Sequence, residues 1–276
     1  MPRTLTPDDL YAIAQVTDPR ISPDGTRIAY VRTAIDRDTY EYQTTIWIVP
    51  TGGGEPRHFT GGPKDSAPRW SPDGSQIAFL RVPAGTGKPK SLDARDHGDG
   101  KPQLYLIAAD GGEARRLTHL REGAGPAEWS PDGTTLLFSA ETGAPDDAEA
   151  EDAAVEGTNN VPRVRTIEQL FYRFDGHGYI YEHRAHLFTL AVGEGSSPPS
   201  PLSPRGEGEP EGSVGAHGVR PAETRQITEG DWNDAAPAWS PDGKQIAFTS
   251  DRTAERWRFP ASQVWVMDAA GGEPRR

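Results

Sequence analysis

The chain has 276 residues, and its 41 Asp and Glu against 29 Lys and Arg give a formal net charge of −12. Nucleic acids and anionic membranes are therefore disfavoured as partners, because both carry negative charge themselves. The absence of cysteine excludes disulfides, thiolate metal sites and a cysteine nucleophile.

The first residues predict a short helix within an N-terminal segment, 1–20. Thr6 is a suitable N-cap, Pro7 suits the first helical position, and two aspartates follow near the positive end of the helix dipole. Leu10 and Ile13 are then expected to face the protein interior. The same region contains no apolar stretch typical of a signal peptide, and no 18-residue apolar run occurs further on, so we expect a cytoplasmic protein.

A five-residue motif, here called the Trp corner, recurs along the chain. Its sequence Trp-Ser-Pro-Asp-Gly suits a type I turn, because Pro presets φ, Asp tolerates the bridge region and Gly accepts the conformation that follows. A short apolar run follows each copy and predicts a strand, so each corner should join the two strands of a β-hairpin. The copies lie at Trp70–Gly74, Trp129–Gly133 and Trp239–Gly243, and in a fourth, Ile21–Gly25, Ile replaces Trp.

A second hairpin follows each of three corners, with a Gly-Gly pair supplying positive φ at its turn. Thirty-three residues separate Ser22 from Glu55 and Ser240 from Glu273, so the spacing itself repeats. Two hairpins per unit make a four-stranded blade, and repetition at this period is typical of a propeller. We therefore predict an all-β fold, an incomplete β-propeller of about four antiparallel blades spanning 21–276, with blades starting near 21, 66, 125 and 235.

The third unit is longer than the others because of two inserts, 141–185 and 193–222. The first begins with an acidic stretch, Glu141–Glu156, and the second is largely Pro, Gly, Ser and Glu. Both stretches are expected to be solvated loops, because they are too poor in apolar residues to offset the entropy of ordering. The fourth unit reaches Arg276 before its last strand is complete, which leads us to expect a truncated propeller.

Catalytic and metal-binding motifs are missing from the sequence. No serine lies in a Gly-x-Ser-x-Gly elbow, so no catalytic residue is predicted. His183 and His186 lie three residues apart with His177 nearby, but neither Cys nor a His-Glu-x-x-His pattern supports zinc. We predict no metal and no cofactor.

The aromatic and charged stretch Phe171–Arg184 is the best candidate for ligand binding. It lies in an insert that leaves a blade, and loops on a rigid scaffold are where binding residues collect. Simple packing of this stretch against the propeller is the alternative. The substrate-positioning candidates are Arg173, Asp175, His177, Tyr179 and Arg184.

Several of these motifs together resemble the N-terminal propeller of the prolyl oligopeptidase family of serine peptidases, and most of all its acylaminoacyl-peptidase and dipeptidyl-peptidase-like branch. They are the N-terminal Leu5–Leu10, the start at Asp18–Gly25, the repeated Trp corners, and Tyr172–Tyr179 ahead of His186. In that family seven or eight blades precede an α/β-hydrolase domain with a Ser-Asp-His triad, and the propeller restricts entry to short peptides.

The resemblance implies that this chain is the non-catalytic propeller portion of a serine peptidase and is inactive alone. It would gate and position short or N-blocked peptide substrates for a C-terminal hydrolase domain absent from these residues. The blade motifs are shared with TolB-type propellers, so a TolB-like protein-binding module without enzymatic activity remains the alternative. Homo-oligomerisation stays open.

Overall fold

Four antiparallel sheets of three or four strands follow one another along the described part of the chain in the computed structural model of this protein, which confirms the predicted all-β fold of propeller blades. The structure describes residue 4 and residues 6–83, 100–143, 183–193, 224–254, 256 and 260–276, together with the backbone of 173–174 and 178–179. None of the helices in these ranges is long and apolar enough to cross a membrane.

The blades consist of antiparallel strands that pair with their neighbours in the sequence. Blade 1 comprises β1 (Ala14–Ile21), β2 (Arg27–Ile35), β3 (Tyr42–Pro50) and β4 (Arg57–His58). Blade 2 comprises β5 (Asp65–Trp70), β6 (Gln76–Arg81), β7 (Gln103–Ala108) and β8 (Arg115–Arg116).

Blade 3 is interrupted by the first insert. It begins with β9 (Glu128–Trp129) and β10 (Thr135–Gly143), continues after a separate two-stranded hairpin, β11 (Arg173–Phe174) and β12 (Gly178–Tyr179), and ends with β13 (His183–Ala191) and β14 (Thr224–Gln226). Blade 4 comprises β15 (Asp234–Trp239), β16 (Gln245–Ser250) and β17 (Gln263–Asp268). A bridge between Val266 and Arg275 lies where the other blades have their fourth strand.

The N-terminal segment differs from its prediction. Its helix is a six-residue 3₁₀ helix, Pro7–Ala12, in which Asp9 accepts hydrogen bonds from the Thr6 main chain and hydroxyl. The predicted buried face is wrong, because Leu10 and Ile13 are 53% and 65% exposed. So short a helix docks through the side chains of Tyr11 and Asp8 instead.

The ring of Tyr11 lies 6.4 Å from the ring of Tyr40 and 5.2 Å from the guanidinium of Arg37, and that guanidinium also donates to Asp8 at 2.8 Å. The rest of the segment, from Ala14, is not helical: it is β1, which pairs with β2. Blade 1 therefore begins before its Trp corner, as the other blades do.

The two inserts also begin and end at slightly different residues than predicted. Residues 141–143 extend β10 and residues 183–185 begin β13, since the two strands pair from Thr135 with Ala191 to Gly143 with His183. Most of the acidic stretch and of the Pro/Gly stretch lies outside the described residues.

Each Trp corner is a hydrogen-bonded turn of constant geometry. In the second copy, the Ser71 hydroxyl donates to Asp73 at 2.5 Å and accepts the main-chain N–H of Gln76 at 2.9 Å, and Gly74 has φ +71°. The bond from Ser71 is the main reason that the pKa of Asp73 lies below its usual value. The same pair of contacts recurs in the other three copies, so these Ser and Asp residues are turn formers, as the sequence predicts.

The tryptophan of each corner joins neighbouring blades. Its indole N–H donates to the main-chain carbonyl of the residue just before the preceding corner. The pairs are Trp70 to Arg20 at 3.0 Å, Trp129 to Arg69 at 3.0 Å and Trp239 to Glu128 at 3.3 Å. Ile21 has no earlier blade to reach among the described residues, and its side chain is 64% exposed.

Apolar cores lie between consecutive blades. Ile46 and Ile48 of blade 1 pack with Ile77 and Phe79 of blade 2, and two similar clusters lie between blades 2 and 3 and between blades 3 and 4. The central strands are apolar on both faces because each face packs against a neighbouring blade.

The strand directions give every blade two distinct ends. The Trp corner and the Gly-Gly turn lie at one end, here called the corner end. The connection from the second to the third strand and the connection to the next blade lie at the other, here called the loop end. Residues 144–182 therefore leave and rejoin blade 3 at the loop end, whereas residues 194–223 do so at the corner end.

The indole hydrogen bonds should contribute measurably to stability. Trp129→Phe keeps an aromatic ring but leaves the Arg69 carbonyl without its donor, so we expect the free energy of unfolding in urea to fall by about 1–3 kcal/mol. Trp47→Phe is the matched control, because the Trp47 indole bonds to Thr45 within its own strand. Equal losses in the two variants would contradict a role between blades.

Candidate functional site

The predicted ligand-binding stretch is only partly described. The backbones of Arg173 and Tyr179 pair with each other in the hairpin of β11 and β12. Asp175 and His177 lie outside the described residues. Arg184 is the one candidate whose side chain is described, and it marks where the insert rejoins blade 3.

Arg184 belongs to a cluster of three charged side chains at the loop end. One carboxylate oxygen of Asp231 accepts from Arg184 at 2.5 and 2.8 Å, and the other accepts from Arg256 at 2.5 Å. Both guanidiniums are mostly buried. Burial alone would raise the pKa of Asp231, but the hydrogen bonds and charges of the two arginines outweigh it and lower the pKa.

The loop that carries Asp231, residues 229–233, holds two other segments in place. Asn233 accepts the main-chain N–H of Ala185 at 2.9 Å, which fixes the start of β13. The ring of Trp232 lies 4.7 Å from the guanidinium of Arg252, in the loop after β16. This short connection between blades therefore contacts both the root of the insert, the start of β13 where the insert rejoins blade 3, and the loop end of blade 4.

A second carboxylate, Asp234, directly follows this loop as the first residue of β15 and is fully buried. It accepts from Arg252 at 3.0 Å and faces His186 across 3.5 Å. Burial alone would raise the pKa of Asp234, but these two neighbours, with Thr228 and Ser250, outweigh the penalty and lower it. Asp234 is therefore an ionised group that holds the insert-bearing blade 3 to blade 4.

Blade 2 contains the same arrangement. Asp65 is fully buried and accepts from Arg81 at 2.7 and 2.8 Å, while the main-chain N–H of Gly62 donates to it at 3.1 Å. A Cβ on Gly62 would collide with both side chains, so only glycine fits there. In both blades the Asp stands five residues before the Trp of its corner.

A cleft of about 900 Å³ opens between blades 3 and 4, next to the loop that carries Asp231. Its walls combine the aromatic ring of Trp232, the guanidinium of Arg252 and the carboxylates of Glu229 and Glu273. Both glutamates are exposed to solvent. The cleft therefore offers charges of both signs and an apolar surface, which suits a peptide-like ligand.

The sequence predictions missed Asp231, Asp234, Arg252 and Arg256. The repeated Asp five residues before a corner Trp, seen at Asp65 and Asp234, could have identified one of them. Asp231 has no counterpart in the other blades, so no repeat signal exists for it. Within the described ranges, no three His, Asp or Glu side chains come together as a metal site.

The ionised Asp234 should make the fold sensitive to acid. Because its pKa is lower in the folded state than its unfolded value of about 3.9, its contribution is present above about pH 4 and is lost as the pH falls through the folded-state pKa. Asp234→Asn should lose about 3–5 kcal/mol of unfolding free energy near neutral pH, since it leaves Arg252 buried without its carboxylate.

Urea unfolding at several pH values checks this prediction. The difference between the wild type and Asp234→Asn should shrink as the pH falls from about 5 to about 2. Asp38→Asn is the control, because Asp38 is exposed and forms no ion pair among the described residues. A pH-independent difference would show that the charge of Asp234 is not what matters.

Comparison with known proteins gives the same picture as the fold. No family model matches the sequence. An uncharacterized peptidase of Bacillus subtilis (strain 168), YuxL, is 29% identical over 267 residues, which is 97% of this chain. The match spans 34% of that relative's length.

Two solved structures share the fold. An acylaminoacyl peptidase from Pyrococcus horikoshii superposes with a TM-score of 0.57 at 16% identity, over 96% of this chain and 32% of the other. A TolB-type protein from Agrobacterium tumefaciens superposes with a TM-score of 0.52 at 19% identity, over 94% of this chain and 64% of the other. These findings confirm the predicted resemblance: the chain is similar along nearly its whole length to part of a bacterial peptidase, and it has the blade architecture of peptidase and TolB propellers.

Proposed function

We propose that this chain is the propeller portion of a serine peptidase, and that it gates and positions short or N-blocked peptides for a hydrolase domain outside these 276 residues. The single observation that carries the proposal is the anchoring of the loop-end insert by Asp231. The chain spans 34% of the length of its curated relative, which leaves room for a second domain in a protein of that kind.

The position of the insert supports gating. Residues 144–182 leave blade 3 at the loop end, and the loops of blades 2 and 4 that join their second and third strands lie at that same end. A scaffold of packed blades with its longest insert at one end is suited to controlling access to a site at that end. The corner end carries the Trp corners, the Gly-Gly turns and the shorter connection formed by residues 194–223.

The anchoring of the insert supports selection by size. Arg184 lies directly after the insert and is held to Asp231, which also holds Arg256 of blade 4. Two charge-assisted hydrogen-bonded pairs fix the point at which the insert rejoins blade 3. Substrates too large to pass would then be rejected without any contact at the catalytic residues.

The cleft beside Trp232 supports positioning of a bound peptide. A main-chain amide or a blocking group can pack on the Trp232 ring, and Arg252 or Glu229 can pair with a charged end. Asp231 lies in the same loop as Trp232, so the anchor of the insert and the binding surface belong to one segment.

A TolB-like protein-binding module is the second candidate. The superposition with the TolB-type protein covers 94% of this chain, so the fold by itself does not separate the two candidates. A serine-directed fluorophosphonate probe separates the two candidates. The full-length polypeptide should be labelled and the isolated 276 residues should not, whereas an unlabelled full-length polypeptide would favour the binding module.

Loosening the anchor should relax selection by peptide length. In the full-length polypeptide, Asp231→Ala removes the carboxylate that joins Arg184 to Arg256, and we expect the ratio of kcat/KM for a twenty-residue to a three-residue N-acetylated peptide to rise about three- to tenfold. Asp110→Ala is the control, because Asp110 lies fully exposed at the corner end. An unchanged ratio in Asp231→Ala would contradict the gating role.

A further inference from the structure

Blade 1 contains an arginine whose internal carboxylate partner is missing. Arg32 and Arg81 hold equivalent positions, each the sixth residue of the strand that follows its corner. In blade 2, Arg81 forms two short hydrogen bonds with the buried Asp65. In blade 4, the equivalent carboxylate, Asp234, pairs with Arg252.

In blade 1 the carboxylate position holds a valine. Val16 stands five residues before Ile21, as Asp65 stands five residues before Trp70, and it lies directly opposite Arg32 in the pairing of β1 with β2. Throughout the described ranges, no Asp or Glu oxygen lies within ion-pair distance of Arg32. Its guanidinium instead lies 5.3 Å from the ring of Trp47.

The surroundings of Arg32 form a pocket. It has a volume of about 430 Å³, and its walls are formed mainly by Arg32, Gln43, Trp47, His58, Gly61 and Gly62. Arg32 is half-buried there, so its charge is less screened than that of a surface arginine. The ring of Trp47 offers an apolar wall against which a short carbon chain can pack.

These observations identify the chemistry of the missing partner. The same arginine position in blade 2 is satisfied by a carboxylate that also accepts a main-chain N–H from Gly62. A guanidinium presents its donors in a planar fork that matches the two oxygens of a carboxylate. We propose that the pocket of Arg32 binds a carboxylate supplied by a ligand, either a small organic acid or the free C-terminus of a short peptide.

Binding can be measured on the 276-residue chain by NMR. The probes are succinate and N-acetyl-trialanine with a free carboxylate, and the C-terminally amidated peptide is the neutral control. We expect saturable shifts of the Trp47 indole N–H and the Arg32 Nε–H signals with one or both acids and none with the amide. Saturation by succinate alone assigns a small acid, and saturation by the free peptide assigns a peptide C-terminus.

Three variants test the role of the charge. Arg32→Gln should raise the dissociation constant about tenfold or more, because the charge-assisted pair is lost. Val16→Asp restores the internal carboxylate of blades 2 and 4 and should block the ligand to a similar degree. Val16→Asn is its uncharged, matched control and should bind within about twofold of the wild type.

All three variants are first checked for a wild-type circular dichroism spectrum. Val16 is 60% exposed, so both substitutions there fit without disturbing the core. Shifts that fail to saturate, that persist in Arg32→Gln, or that Val16→Asp leaves unchanged would overturn the proposal. The serine-directed labelling experiment does not involve Arg32, so this proposal and the peptidase proposal can fail separately.

Discussion

The hydrogen bond from each corner indole to the main chain of the blade before it is the constraint on which the rest of the structure depends. It fixes the position of each blade along the strands of the blade before it, because donor and acceptor occupy the same place in every repeat. The apolar cores can then interlock between blades. A hydrophobic interface alone is tolerant of sliding, whereas a directional bond at its edge is not.

Ion pairs fix the loop end, within blades 2 and 4 and, through Asp231, between blades 3 and 4. Asp65 and Asp234 are buried carboxylates paired with arginines, and Asp231 adds a pair of ion pairs nearer the surface. Removing one partner from such a pair costs far more than its net contribution to stability, because it leaves a buried charge. The loop end can therefore carry a long insert without losing the geometry of its root.

Much of the fold could be predicted from the sequence, since the corners and Gly-Gly turns are local signals that determine their own backbone. The N-terminal segment was only half predicted: Thr6 and Pro7 do start a helix, but pairing with β2 outweighs helix propensity from Ala14 onward. The site was harder to predict, because Arg184 meets Asp231 only through packing of two blades. Asp234 could have been identified from its repeated position five residues before a corner Trp, whereas Asp231 has no counterpart in the other blades.

The acceptor of every corner indole is a peptide carbonyl, and this has a consequence for how such a chain evolves. A side-chain acceptor can be lost by a single base change, but every amino acid carries a main-chain carbonyl. A tandemly duplicated unit that carries its own tryptophan would thus meet an acceptor already in place, whatever residue precedes the older corner. The residues before the first three corners, Arg20, Arg69 and Glu128, are not all of one type, yet each accepts the bond.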